Sequence, residues 1–211
     1  MTVIAIMNQK GGCGKTTSSI NLAAALASAR KKVLIIDLDP QGHSALGLGV
    51  QSKDLEYSMY DVLDQKVELP RIIQKIDSNL YLAPSNIFLS AFEHRFASRD
   101  QREQQLKLRL NDFRSHYDFI IIDCPPNLGL LSINAMVAAN GIIIPVEPSS
   151  FGLDGVQRLQ QTLDFLTQNL ALEVERRIVV TMDEKSRLSR KLIRDLEDLY
   201  QSIMFTASIR K

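Results

Sequence analysis

The chain has little cysteine, almost no net charge and no repetitive tract, and each shortage removes a class of protein. Two cysteines, Cys13 and Cys124, stand far apart, too few for a disulfide framework or a zinc site, so the thiol content fits a reducing cytoplasm. Lysine and arginine number 25 against 24 aspartates and glutamates, a net charge of +1. Any attraction to nucleic acid must therefore come from a local cluster and not from a global field. The apolar run at residues 3–7 is far shorter than the core of an export signal and leads straight into glycines, so a cytoplasmic protein is expected. Residues 124–146 carry no charge and are long enough to cross a bilayer. Pro125, Pro126, Gly129, Asn134, Asn140, Gly141 and Pro145 interrupt them. That punctuation reads as loop, short buried helix, turn and buried strand, and no stable membrane association is expected.

What is present is an alternation. Of the 211 residues 45% are hydrophobic, enough for one compact domain with its own core. Short apolar runs at residues 3–7, 33–36, 80–83, 119–122, 142–146 and 178–181 read as buried strands. Helical patterns lie between or after them at residues 16–29, 101–115, 131–139, 153–168 and 188–200, and residues 47–77 read as short helices and loops. Continuous apolar strands separated by helices predict an α/β fold, a single domain over residues 1–211 with a mostly parallel sheet covered by helices on both faces, and the glycines at 11, 12 and 14 before Lys15 and Thr16 make it a P-loop domain. Ligands of such sheets bind beyond the carboxyl ends of the strands. Three strand ends carry unusual residues there: Asn8 to Thr17, Asp37 to Gly42, and Asp123 to Pro126.

Gly11, Gly12 and Gly14 let the backbone turn its N–H groups towards one anion, and the helix opening near Lys15 adds the positive end of its dipole. A polyphosphate fits such a loop, cradled by Gly11, Gly12, Cys13, Gly14, Lys15, Thr16 and Thr17. In this reading Lys15 reaches the β- and γ-phosphates, the Thr16 hydroxyl ligates Mg²⁺, and Asp123 holds that ion from the end of its strand. Asp37 is a candidate for organising the metal's water shell, and both it and Asp39 can instead cap the turn that follows. The strict G-x-x-x-x-G-K-[ST] pattern fails because Gln9 replaces its first glycine, and a dinucleotide loop fails because Thr17 stands at its last.

Lys10-Gly11-Gly12-Cys13-Gly14-Lys15-Thr16-Thr17 resembles the deviant Walker A motif of the ParA/MinD ATPases. Val33 to Gly42 resembles the family's second motif, and Tyr117 to Pro126 with Leu128-Gly129-Leu130-Leu131 resembles the ParA Walker B region. The likeness continues through Pro145, a turn at Phe151-Gly152-Leu153, Thr181-Met182-Asp183 and Leu188-Ser189. It implies ATP and Mg²⁺ as cofactors, an ATP-sandwiched homodimer in which Lys10 reaches the partner's phosphates, and Asp39 orienting the attacking water. Catalytic roles thus fall to Lys10, Lys15 and Asp39. Relatives continue past Lys211 with an adenine-contact segment and a final helix, so the usual C-terminal segment is expected to be missing here. No Asn-Lys-x-Asp guanine-reading motif occurs.

Between residues 185 and 194 there are five basic side chains and no acid. On a helix Arg187, Arg190, Lys191 and Arg194 share one face, with Leu188, Leu192, Leu196 and Leu199 turned away as the packing side. Spacing alone leaves a solvated face and a phosphate-binding face equally open. The resemblance implies nonspecific DNA binding through basic residues of this part, together with a nucleoid-associated location and a ParB-like or other adaptor protein that stimulates hydrolysis. Alternatives are a MinD-like spatial regulator, a nucleotide-binding adaptor that hydrolyses nothing, and a metabolic P-loop enzyme with a small-molecule acceptor.

Overall fold

A computed structural model describes residues 2–111, 113–184 and 186–211. The chain runs β1 (Thr2–Ile6), α1 (Lys15–Ser28), β2 (Val33–Asp37), α2 (His43–Gly47), α3 (Met59–Leu63), β3 (Gln74–Lys75), β4 (Leu80–Ala83), α4 (Phe92–Phe96) and α5 (Gln105–Leu110). It continues through β5 (Phe119–Asp123), α6 (Leu130–Ala138), β6 (Gly141–Val146), α7 (Ser150–Asn169), β7 (Glu175–Asp183), α8 (Arg187–Tyr200) and β8 (Met204–Arg210), with short 3-10 turns between some of them. Among the described residues eight strands form one sheet in the order β3-β4-β2-β5-β1-β6-β7-β8. All neighbours are parallel except the β3–β4 pair at one edge.

The strands read as unbroken apolar runs because both faces of the sheet are buried. On β2 and β5, Leu34, Ile36, Ile120 and Ile122 pack into one core with side chains of α3 to α8, while Val33, Ile35 and Ile121 pack into a second with Ala23 of α1 and Ala45 of α2. The expected layers, helices over both faces of a mostly parallel sheet, are therefore present. The charge-free stretch at residues 124–146 divides into a loop, α6 and β6, and among the described residues no helix is long and apolar enough to cross a membrane.

Three expectations change, and one strand is new. The helical pattern at residues 101–115 becomes a 3-10 turn (Arg102–Gln104), α5 and a further 3-10 turn (Arg114–His116). The cause is a side chain from α6: Asn134 accepts from Leu106 N at 3.0 Å and donates to Arg102 O at 2.8 Å, taking both ends of the bond that an α-helix would close there. The turn expected at residues 151–153 lies inside the first turn of α7, because Ser149 caps that helix by accepting from Gly152 N at 3.0 Å. On α8, Leu192 and Leu196 are buried but Leu188 and Leu199 are each 61% exposed, so the packing stripe is half as long as the leucine pattern suggests. β8 was not expected at all; it pairs with β7 at the sheet edge, and most of its residues are exposed. Between β8 and α1 lies an apolar cavity of about 500 Å³, lined in part by Leu22, Ile143, Val179, Phe205 and Ile209.

Candidate nucleotide site

The sheet register brings the three unusual strand ends side by side. Asp123 at the end of β5 pairs with Ile6 at the end of β1 and with Asp37 at the end of β2. The glycine loop leaves β1 at this edge and enters α1. Gly12 and Gly14 sit in the left-handed region at φ 73° and 85°, where a side chain would be strained. Distant residues fix the loop. Asn8 donates to Pro145 O at 2.7 Å and accepts from Lys10 N at 3.1 Å, and Thr181 on β7 donates to Cys13 O at 2.8 Å. Lys15 folds back onto the loop, where its ammonium donates to Lys10 O at 3.0 Å.

Asp123 is fully buried. It accepts from Ser44 Oγ at 2.8 Å and Ser19 Oγ at 3.0 Å, with the Thr16 hydroxyl near by. Burial pushes its carboxyl above the usual range, and these hydroxyls oppose the shift. Burial and the neighbouring Asp123 push Asp37 well above its ordinary value. Both Asp37 oxygens are occupied by backbone: one accepts from Asp39 N at 3.0 Å, the other from Ser44 N at 3.1 Å and Ala45 N at 3.4 Å. Asp37 therefore fixes the turn and the start of α2. Asp39 is almost buried and accepts from Gln41 N at 3.0 Å through one carboxylate oxygen.

The site fits a metal-bound polyphosphate. A buried carboxylate disfavoured as an anion, with a threonine hydroxyl against it, is completed by a divalent cation. Among the described residues no group of three or more His, Cys, Asp or Glu is arranged to hold a metal. That donor set suits Mg²⁺, which takes one or two protein ligands and fills its octahedron with phosphate and water. Cys13 and Cys124 are buried, and burial pushes both thiols up, Cys124 furthest, so neither is poised as a nucleophile.

Lys10 ends elsewhere. Its ammonium pairs with Glu147 and donates to Ser149 Oγ at 3.1 Å, at the junction of β6 and α7. Glu147, Ser149, Ser19 and Ser44 escaped the sequence reading, and Asn8 and Thr181 fell inside its motifs without a role. Each acts here as a single polar residue, and only Asn8 and Ser19 are near the phosphate loop in sequence. On α8, Arg187, Arg190, Lys191 and Arg194 are exposed and together line a shallow depression of about 210 Å³. Lys185, counted with them in the sequence, lies outside the described residues.

Residues 1–176 match the family described as AAA domain. The sporulation initiation inhibitor protein Soj of Bacillus subtilis is 37% identical over 210 residues, which cover 98% of this chain and 83% of Soj. The chromosome partitioning protein ParA of Myxococcus xanthus is 34% identical over 206 residues, covering 96% of this chain and 73% of that protein. The chain belongs to the ParA/Soj family of partitioning ATPases. Within known structures this ParA/Soj-type chain superposes on the cobyrinic acid a,c-diamide synthase of Mycobacterium smegmatis with bound ADP and magnesium. The TM-score is 0.90 at 34% identity, over 95% of this chain and 82% of that one. The same protein with an ATP analogue and magnesium gives 0.90 at 33% identity, over 95% and 83%.

Proposed function

We propose that this chain is an ATP-hydrolysing molecular switch that uses Mg²⁺·ATP to form a homodimer, binds nonspecific DNA as that dimer, and is released when a partner protein stimulates hydrolysis. The observation that carries the nucleotide part is the alignment of the glycine loop, Thr16 and Asp123 at one sheet edge, with Asp39 beside them. Family membership and nucleotide-bound relatives support the cofactors.

In this reading the amides of Gly11 to Thr17 hold the phosphates and Lys15 moves from Lys10 O onto the β- and γ-oxygens. Thr16 and Asp123 hold Mg²⁺, which when bound neutralises charge on those oxygens. Asp37 keeps Asp39 in place through the Asp39 N–H and so acts on the metal's surroundings from behind. Asp39 orients the attacking water, and Lys10 stabilises the charge that develops on the partner's phosphates. The α8 stripe supplies phosphate contacts that carry no sequence information. The cargo would be a plasmid, a chromosome or another body moved over the nucleoid, with a ParB-like or other adaptor as the stimulating partner.

The test is steady-state ATP hydrolysis with and without DNA and with the product of the adjacent gene. Stimulation by both is expected. Asp39→Ala should retain ATP and lose turnover by about 100-fold or more, the scale of a lost general acid–base or positioning group. Undiminished turnover in that variant removes Asp39 from the chemistry. A rate indifferent to DNA and partner leaves a nucleotide enzyme without the switch.

A further inference from the structure

The side chain that the dimer reading sends to another subunit is held at home in this structure. The Lys10 ammonium pairs with Glu147 and bonds Ser149, and the segment that carries those two groups is tied down by its own bonds. Ser149 N donates to Glu147 O at 2.8 Å, Ser149 Oγ caps α7, and Gly152 packs so closely that a Cβ there would lie 2.2 Å from Glu147 O. The loop that carries Lys10 is pinned to the same junction through Asn8 and Pro145 O. Lys10 and Glu147 are each about one-third exposed, with side chains 32% and 36% accessible, so an approaching second copy can reach the pair.

The electrostatics of this contact have a direction. While paired, Lys10 and Glu147 cancel, and the loop meets its own nucleotide chiefly with Lys15. When Lys10 leaves for the partner's phosphates, Glu147 loses its counter-ion at the edge of a site filled with triphosphate, where an uncompensated carboxylate is repelled. The cost arises in both subunits of a symmetric dimer.

We infer that Glu147, with Ser149, is a cis latch that holds Lys10 away from the partner and sets the threshold for nucleotide-dependent dimerisation. The inference rests on the dimer reading above and adds to it a positioning residue, Glu147, which acts through Lys10. It makes the monomer resistant to pairing at low occupancy and places the exchange of Lys10 partners at the point where two loaded copies meet.

The experiment is sedimentation velocity with a non-hydrolysable ATP analogue and Mg²⁺ on wild type, Glu147→Gln, Glu147→Asp, Lys10→Ala and the Lys10→Ala/Glu147→Gln double variant. A partly exposed ion pair is worth about a factor of two to five, and two break per dimer. Glu147→Gln should therefore dimerise on the order of tenfold more tightly, Glu147→Asp should fall near wild type, and the gain should shrink as salt screens the pair. In the Lys10→Ala background the Gln substitution should give no gain, which separates the latch from a general effect of charge near the phosphates. If wild type dimerises and Glu147→Gln does so no more tightly, or gains equally without Lys10, the latch is overturned while the dimer stands. If neither protein dimerises with nucleotide, the dimer reading falls and the latch falls with it.

Discussion

The nucleotide edge and the α8 stripe are built on opposite principles. At the nucleotide edge Asp37 and Asp123 are fully buried, and each of their four carboxylate oxygens has a backbone N–H or a hydroxyl against it. Such groups are costly to bury unless partnered, so the site is defined by partners drawn from all along the chain. The stripe of Arg187, Arg190, Lys191 and Arg194 is exposed and needs only helical spacing to exist. One region is held in a single geometry and can do chemistry; the other presents charge and tolerates rearrangement. Nucleotide chemistry should accordingly fail all at once, and DNA affinity should decline in steps.

The sharpest break is Lys15→Ala. Ligand that binds only the folded state stabilises it by mass action, about 2.7 kcal/mol at a concentration a hundredfold above Kd. Wild type should show a raised melting temperature with Mg²⁺·ATP, and Lys15→Ala none at all. An equal rise in both would move the phosphate site away from the glycine loop.

How legible each region was follows from the same contrast. Lys10 to Thr17, Asp37 to Gly42 and the strand ending at Asp123 are contiguous stretches, and a loop whose chemistry lies in consecutive residues can be read without knowing what surrounds it. The parallel sheet was legible for a similar reason: its strands are apolar on both faces, and no other arrangement covers them. The groups that complete the site were not. Ser44 is 79 positions from the Asp123 it bonds and Thr181 is 168 from Cys13, and nothing in a serine or threonine says which distant group it will meet. Asn134 belongs with them, since it looks like an ordinary residue of α6 and yet decides where α5 begins. β8 was missed because it is a mostly exposed edge strand, so its Met204, Phe205 and Ile209 do not form an unbroken apolar run.

The second prediction tests burial along α8. Leu196 is 1% exposed and packs into the main core, whereas Leu188 is 61% exposed on the same helix. Leu196→Ala should cost about 2–5 kcal/mol in denaturant unfolding. Leu188→Ala should stay within about 0.5 kcal/mol. Similar losses for both would mean that α8 presents its whole leucine row to the core, and that the basic face is turned differently from the structure described above.

The smallest effect belongs to the stripe, and its signature is graded. If each of the four side chains neutralises one phosphate, the logarithm of DNA affinity falls with the logarithm of salt at a slope of about −3.6 for one subunit. Removing two contacts with Lys191→Ala and Arg194→Ala should flatten that slope to about −1.8 and weaken binding to unrelated sequences alike, because phosphate contacts position without reading bases. A dimer carries two stripes, and the second engages at high effective concentration once the first is bound, so nucleotide should steepen the slope as well as raise the affinity. ATP binding should persist in the double variant, since α8 supplies none of the side chains that surround Asp123 or the glycine loop. An unchanged slope would show that α8 presents only a solvated face, and would direct the search for a DNA contact to another surface of the dimer.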